Sequence, residues 1–260
     1  MSAQIPCDLA GLSVLVTRPA QQSDELCGLI ELAHGRPVRF PTLEIRGPAD
    51  QGAARAALAG AGNADVLIFI SVNAVRYAFP MLPEQLPLDI DVAAVGSATA
   101  RALADVGLDP TLIPARMDSE GLLALPALTS VAGKHVYILR GNGGRTLLRE
   151  QLCKRGADVH EVDVYRRQIP QHPKGVANLC RNWPRLVQAV TATSNEGLDN
   201  LFTLLGEQGA TQLRSTPAVL VSQRMAKHAL DRGCESVYVA NSARDKDVLA
   251  ALCEVRGDIA

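Results

Sequence analysis

Six short segments of this sequence combine hydroxyl, amide, glycine or arginine residues in a way that suits anion binding. Each follows an apolar or β-branched run and precedes a helical pattern, so free backbone N–H groups at the helix start would face a ligand. A serine or threonine adds a donor, and an arginine pairs well with carboxylates. The segments are Thr17-Arg18-Pro19, Ser71-Val72-Asn73, Gly96-Ser97-Ala98-Thr99, Arg140-Gly141 to Arg145, Thr193-Ser194-Asn195 and Ser222-Gln223-Arg224.

Each segment also has a purely structural interpretation. Ser71, Ser194 and Thr99 could be helix N-caps, a position that serine and threonine favour. Arg140 and Arg145 could be solvated surface charges, and the glycines between them lack the G-x-G-x-x-G spacing of a dinucleotide loop. Taken together, the six segments favour one pocket for a ligand with several anionic groups over six independent caps.

One polar aromatic residue, Tyr165, could take part in chemistry. It lies in the extended segment Val162–Arg167, either as a half-buried structural residue or as a phenol donor that faces a cleft. The sequence contains no nucleophile elbow, no Walker loop and no metal-spaced histidine cluster, and we interpret its five histidines as structural. It therefore predicts no metal site and no familiar catalytic triad.

The elements that must position these residues alternate between strand and helix. Ser13–Thr17 predicts a strand, and Ser23–His34 predicts an amphipathic helix that Gly35 ends. Asp65–Ile70 is a continuous apolar run, typical of a strand covered on both faces. The other elements predicted in this half are strands at Val38–Leu43, Val92–Val95 and Thr111–Ile113 and a helix at Thr99–Val106.

The second half of the chain repeats this order of elements. His135–Arg140 mirrors Ser13–Arg18, and Val190–Ser194 mirrors Leu67–Ser71. Such matches indicate internal duplication. They predict an α/β protein with two doubly wound parallel-sheet domains of about five strands each. The site is then expected in a cleft between the two domains.

Which strands share a sheet stays open at this level. Arg39–Ile45 and His160–Ile169 are both extended without a strong helix directly after them, so they could be crossover strands that join two lobes. The prolines of Gln168–Pro173 would then make that segment a linker, because proline blocks helix continuation.

Composition excludes several classes of protein. Of the 260 residues 47% are hydrophobic, enough for a core, and the formal net charge of −1 gives no basic field for nucleic acid or a membrane surface. No run has the length of a membrane span, and the N-terminus lacks the regions of a signal peptide. The six cysteines are scattered, so we expect reduced thiols in the cytoplasm, without disulfides or zinc.

Several ordered motifs resemble the uroporphyrinogen-III synthase family, over nearly the whole stretch from Leu12 to Leu252. They are Val14–Pro19, Ser71–Val75, Val95–Ala102, Ile138–Arg145, Val164–Arg166 and Thr193-Ser194. The resemblance implies two α/β lobes joined by a two-stranded linker, with the first lobe discontinuous in sequence. Carried over, lobe one covers residues 1–41 and 167–260, and lobe two covers residues 42–166.

The resemblance also implies an activity. The family closes hydroxymethylbilane, a linear tetrapyrrole rich in carboxylates, into uroporphyrinogen III with inversion of ring D and loss of water through a spiro intermediate. Tyr165 would assist departure of the hydroxide, since a phenol is protonated at neutral pH. The residues expected to bind the substrate are Arg18, Ser71, Asn73, Gly96, Thr99, Arg140, Gly141, Arg145, Ser194, Asn195 and Ser222.

No cofactor is implied by the resemblance. The expected protein is a cytoplasmic monomer that receives its small-molecule substrate by hand-over from hydroxymethylbilane synthase, with no nucleic-acid or membrane partner. Two other functions stay open: a non-catalytic bilobal sensor of a polyanionic small molecule, and a nucleotide-dependent transferase, which the missing glycine spacing disfavours.

One turn departs from the family pattern. Where the family commonly has Gly-x-x-Thr, this chain has Ser222 to Met225, and Met225 cannot donate a hydrogen bond. The matching turn in the other half, Gly96 to Thr99, is intact. We therefore expect Thr99 to contribute to binding and Met225 not to.

Overall fold

The computed structural model describes residues 7–144, 146–171 and 175–259. The chain divides into two compact units. The first contains the chain up to Glu44 and again from Gln168 onward, and the second is Ile45–Arg167. Within the described ranges, no helix is both long and apolar enough to cross a membrane.

Strands and helices alternate along both units. The strands are β1 (Ser13–Val16), β2 (Arg36–Arg39), β3 (Glu44–Arg46), β4 (Val66–Phe69), β5 (Asp91–Ala94), β6 (His135–Gly141), β7 (Asp158–Gln168), β8 (Ala189–Ala192), β9 (Ala218–Leu220) and β10 (Val237–Val239). The α-helices are α1 (Asp24–Leu32), α2 (Gln51–Ala59), α3 (Val72–Ala78), α4 (Ser97–Asp105), α5 (Ser119–Leu123), α6 (Pro126–Thr129), α7 (Leu147–Lys154), α8 (Val176–Arg181), α9 (Trp183–Leu186), α10 (Asn195–Arg214), α11 (Gln223–Asp231) and α12 (Asp245–Asp258). Short 3-10 helices lie at Ala20–Gln22, Gly60–Asn63 and Phe79–Met81.

The first unit is built on a parallel sheet in the order β10-β9-β8-β1-β2. Leu15 of β1 lies beside Val190 of β8, and both side chains enter one hydrophobic cluster. Val14 and Ala189 enter a second cluster, because alternate residues of a strand face opposite sides of a sheet. Both faces are therefore covered, and all four residues of β1 are buried.

The second unit has a sheet in the order β3-β7-β6-β4-β5, in which β7, β6, β4 and β5 pair in parallel. All four residues of β4 are buried, and Val66 and Ile68 pack in one cluster with Val136 and Ile138. The predicted class of a mixed α/β protein with two parallel sheets is thus confirmed.

Two of the predicted strands differ in extent. The segment predicted over Val38–Leu43 forms a regular strand only as far as Arg39, because Pro41 has no N–H to continue the ladder. The segment Thr111–Ile113 is reduced to a single parallel bridge between Leu112 and Ala93. Both deviations lie at the outer edges of the sheets, at β2 and beside β5, and the central strands are as predicted.

The end of α1 corrects the role expected for Gly35. His34, not Gly35, adopts the left-handed conformation after the helix, with φ of 57°. Gly35 is needed for a different reason: a Cβ on it would lie 2.8 Å from side-chain atoms of both Ile30 and Leu9. A glycine at this position therefore lets the turn pack closely against the core.

Two of the cysteines form a disulfide, so the prediction of six thiols is wrong for this pair. Cys7 and Cys253 are joined with their Cα atoms 5.9 Å apart, a normal separation for a disulfide. They are 246 positions apart in sequence, so their spacing carried no sign of the pairing. The remaining cysteines are free, and burial raises the pKa of the thiols of Cys27, Cys180 and Cys234.

Candidate functional site

Tyr165 lies near the carboxyl end of β7 and is only 6% exposed. The pairing of β6 with β7 is irregular here: Arg140 is opposite Asp163, whereas the next residue, Gly141, is opposite Tyr165. The shift brings the tyrosine ring directly over Gly141, where an added Cβ would lie 2.5 Å from two ring atoms. Gly141, predicted to bind substrate, therefore makes room for the ring of Tyr165.

The phenol oxygen of Tyr165 has a defined partner. Ser71 Oγ lies 3.1 Å from it and donates to it, while the same Oγ accepts the Ala74 N–H as the N-cap of α3. Because Ser71 supplies the proton of this bond, the phenol proton of Tyr165 stays available to another acceptor. Ser71 thus combines the predicted capping role with a contact to the candidate catalytic residue.

Tyr77, which the sequence did not single out, supports the same ring. It lies on α3, and its ring stacks on that of Tyr165 with centroids 6.2 Å apart. Its hydroxyl donates to the Ile45 carbonyl, which orients the ring. The only sign of this contact in the sequence is that Tyr77 follows Ser71 by six residues on the same helix. That spacing alone is weak evidence for a contact.

The helix starts predicted to bind anions fall into two groups. Ser194 and Ser222 cap α10 and α11 through bonds to the N–H groups of Gly197 and Met225. The start of α4 differs, because its N-cap residue is Gly96 and no side chain caps the N–H groups of its first turn. Both serines therefore act as N-caps, and their contact with a substrate stays a prediction; α4 alone keeps an uncapped start among these three.

Two predicted amide residues lie beside the serine caps. Asn73 is half-buried in the first turn of α3. Asn195 begins α10, and its Oδ1 atom is buried without a hydrogen-bond partner in the described part of the chain. Both amides thus retain polar atoms that could meet a ligand.

The two turns compared at the sequence level both direct their fourth residue inward. Thr99 is 4% exposed and Met225 is 3% exposed, and Met225 belongs to the hydrophobic cluster of the first unit. The methionine is therefore a core residue on α11. Thr99 is similarly buried on α4, and its contact with a ligand stays a prediction.

Arg18, two residues after β1, and Arg140, near the end of β6, are both paired with carboxylates. Arg140 is buried, and its guanidinium contacts Glu161 and the Gly143 carbonyl, with Asp163 at 3.8 Å. Arg18 contacts Asp245 and donates to the Ala243 carbonyl at 2.8 Å. Each charge is therefore compensated inside its own unit. Arg145 lies outside the described residues.

A small cavity opens beside Arg140 in the second unit. Its volume is about 200 Å³. Its lining is mostly apolar, with polar groups from Ser119, Glu161 and the glycine turn. The lining residues are Ile70, Val95, Ser119, Ile138, Arg140, Gly143, Gly144, Leu148 and Glu161. The cavity lies beyond the carboxyl ends of the strands, where open parallel sheets bind ligands.

The fold and these side chains define a class of α/β protein with two parallel sheets and a tyrosine–serine pair at a carboxyl edge. A family model described as uroporphyrinogen-III synthase HemD matches residues 24–250. The chain is 35% identical over 246 residues to a uroporphyrinogen-III synthase of Escherichia coli, covering 93% of this chain and 100% of the relative. The chain belongs to the uroporphyrinogen-III synthase family.

Solved structures agree at the level of the fold. A mutant uroporphyrinogen III synthase from Thermus thermophilus matches with a TM-score of 0.63 and 21% identity, over 95% of this chain and 100% of that one. A uroporphyrinogen-III synthetase from Helicobacter pylori matches with a TM-score of 0.58 and 17% identity, over 96% of this chain and 100% of that one.

Proposed function

We propose that this chain converts hydroxymethylbilane into uroporphyrinogen III, with closure of the ring, inversion of ring D and loss of water. Its membership of the uroporphyrinogen-III synthase family supports this proposal. The observation that carries the mechanism is the pairing of Tyr165 with Ser71 at 3.1 Å, at the edge of the sheet where ligands bind in this class of fold.

In the proposed first step, the C–O bond of the hydroxymethyl group breaks, and the oxygen leaves as water after it takes the phenol proton of Tyr165. The developing phenolate is stabilised by the hydrogen bond from Ser71, whose own position is held by the Ala74 N–H. The methylene carbon left by the departing water bonds to the substituted α-carbon of ring D, which gives the spiro intermediate. The older bond from that α-carbon to its methylene bridge then breaks, and the freed methylene bonds to the other α-carbon of ring D. The proton that ring D releases when it regains aromaticity restores the phenol, so the cycle is balanced.

The substrate carboxylates are assigned chiefly to backbone N–H groups. Arg18 and Arg140 are already paired with Asp245 and Glu161, so in this proposal they shape the turns and neutralise local charge. The uncapped start of α4 offers free donors. The other residues proposed to bind the substrate are Asn73, Gly96, Thr99, Ser194, Asn195 and Ser222; Ser194 and Ser222 would do so while they also cap their helices, and Thr99 is the most buried of the hydroxyl residues among them.

We further propose that the two domains are products of internal duplication, with domain one at residues 1–41 and 167–260, domain two at 42–166, and a two-stranded linker. The strand orders support this, since β9-β8-β1-β2 corresponds to β5-β4-β6-β7. The helix caps correspond as well: Ser194 follows β8 as Ser71 follows β4. Arg18 and Arg140, which both form ion pairs, lie at or just beyond the carboxyl ends of the corresponding strands β1 and β6.

The direct test supplies hydroxymethylbilane to the purified protein and separates the product isomers. The expected product is the type III isomer, formed faster than spontaneous closure yields type I. Type I alone at the rate without protein would exclude the activity, and tight binding without turnover would favour a sensor. The monomeric state, the cytoplasmic location and the hand-over from hydroxymethylbilane synthase are parts of the same proposal, and gel filtration tests the first.

A further inference from the structure

Two histidines and an aspartate meet at the amino ends of β6 and β7. His135 is the first residue of β6 and lies opposite Asp158, the first residue of β7. His160 follows Asp158 by two positions, so the three side chains share one face of the sheet. His135 and His160 are 25 positions apart, and only the pairing of parallel strands brings them together.

The geometry converges on one oxygen atom. His135 Nδ1 lies 3.1 Å and His160 Nε2 lies 3.2 Å from Asp158 Oδ2. All three potential ligand atoms lie within 4.8 Å of one another. Tetrahedral zinc with bonds of about 2.0–2.1 Å holds its ligand atoms roughly 3.3 Å apart. The two nitrogen–oxygen distances to Asp158 already have about that length. Rotation of the exposed His135 ring can shorten the third distance, between the two histidine nitrogens.

The surroundings favour a cation here. The ring of His160 stacks on Tyr137 with centroids 4.6 Å apart, and Tyr137 is buried, so the imidazole is held in place. Asp65 adds a second carboxylate, whose Oδ2 accepts the backbone N–H of His135 at 2.7 Å.

We infer that His135, Asp158 and His160 form a surface site for a divalent late transition ion such as Zn²⁺, with water in the remaining positions. Two imidazoles and a carboxylate suit zinc, nickel and copper far better than magnesium or calcium. The ion would join the first residues of β6 and β7. Gly141, which contacts Tyr165, lies six residues further along β6, about 20 Å away. The site therefore serves the stability of the second unit and not the chemistry at Tyr165.

Calorimetric titration of tag-free, chelator-treated protein with ZnCl2 tests this inference. We expect one ion per chain and a rise in the melting temperature when zinc is present. Asp158→Asn keeps the shape of the side chain, and His160→Gln replaces the imidazole with an uncharged amide of similar length; each should weaken binding at least about tenfold. The matched control is His228→Gln, which changes another partly exposed histidine that contacts an aspartate, and it should bind zinc as the parent does.

The exposed thiol Cys153 is an alternative ligand, and Co²⁺ distinguishes it. Imidazole and carboxylate ligands give a cobalt spectrum without the intense thiolate-to-metal charge-transfer band. That spectrum, retained in Cys153→Ser, supports the inference. Unchanged binding in Asp158→Asn or in His160→Gln would overturn it, as would a stoichiometric thiolate spectrum or the absence of saturable zinc binding.

Discussion

Ser71 donates a hydrogen bond to the phenol oxygen of Tyr165 over 3.1 Å while it also caps α3. One hydroxyl thus connects the end of β4, the start of a helix and the tyrosine on β7. A change at either residue affects the same oxygen atom, but only a change at Ser71 affects the helix. The two residues can therefore be separated by experiment.

Tyr165→Phe removes the proposed proton donor and leaves the ring in place. We expect formation of the type III isomer to fall by about 10²- to 10⁴-fold, the usual contribution of a general acid. The melting temperature should change little, because only one hydrogen bond is lost. Tyr77→Phe is the matched control, since it loses the bond to Ile45 but keeps the stacked ring. An equal loss of rate in both variants would speak against a specific role for Tyr165.

Ser71→Ala should lower both stability and rate. The lost N-cap costs about 1 kcal/mol in the free energy of unfolding, and the phenol loses the donor that stabilises its anion. Asp50→Ala provides the comparison, because Asp50 caps α2 through the Ala53 N–H in the same unit without any contact to Tyr165. Denaturant unfolding and the isomer assay together test this. If Ser71→Ala forms the type III isomer as fast as Asp50→Ala does, the role of Ser71 is limited to capping the helix.

Gly141→Ala should displace the ring of Tyr165, since the new methyl group would lie 2.5 Å from it. Overpacking of this kind costs about 1–3 kcal/mol in stability. The rate should fall along with the stability, because the phenol moves away from Ser71. Gly62→Ala is a suitable control, as nothing lies within 4 Å of the added Cβ. A fully active Gly141→Ala protein would show that the position of the phenol is not critical.

Arg140→Gln distinguishes an ion pair from a substrate contact. The buried guanidinium pairs with Glu161, so its loss should destabilise the protein by roughly 3 kcal/mol. A second change, Glu161→Gln, should recover part of that loss. Urea unfolding of the single and double variants measures the coupling between the two residues. A raised KM with unchanged stability would instead assign Arg140 to substrate binding, as the sequence suggested.

Reduction of the disulfide should destabilise the first unit. The bond between Cys7 and Cys253 lowers the entropy of the unfolded chain, which can raise the free energy of unfolding by up to about 5 kcal/mol. We expect a lower melting temperature in reducing buffer, and Cys7→Ser should show the lower value in both buffers. The same melting temperature with and without reductant would mean that the pair contributes little to stability.

The central strands were predictable because a strand covered on both faces reads as a continuous apolar run, as in Val66–Phe69. The charged contacts were not, because Arg140 and Arg18 meet acids 21 and 227 positions away. A sequence shows that an arginine follows a strand, but only the packed fold shows which carboxylate lies opposite. Tyr77 was missed for the same reason.

Residues with two possible roles were also resolved by packing. Met225 counted as a missing donor in the sequence, whereas it fills the core of the first unit. His34 takes the left-handed position expected of Gly35, because close contact with Ile30 and Leu9 already requires the glycine. The conformational preferences of single residues do not decide these roles, because either residue type fits the local turn and only the packing around it differs.

The bond between Cys7 and Cys253 has a consequence for cleavage of the chain. It closes residues 7–253 into a covalent loop that contains the whole second unit. A protease that cuts once anywhere inside this loop would leave the two fragments attached, so the nicked protein would migrate as one species on a gel until a reductant is added. With the two Cα atoms 5.9 Å apart, a few added residues could also join these positions and allow new chain ends to be opened elsewhere.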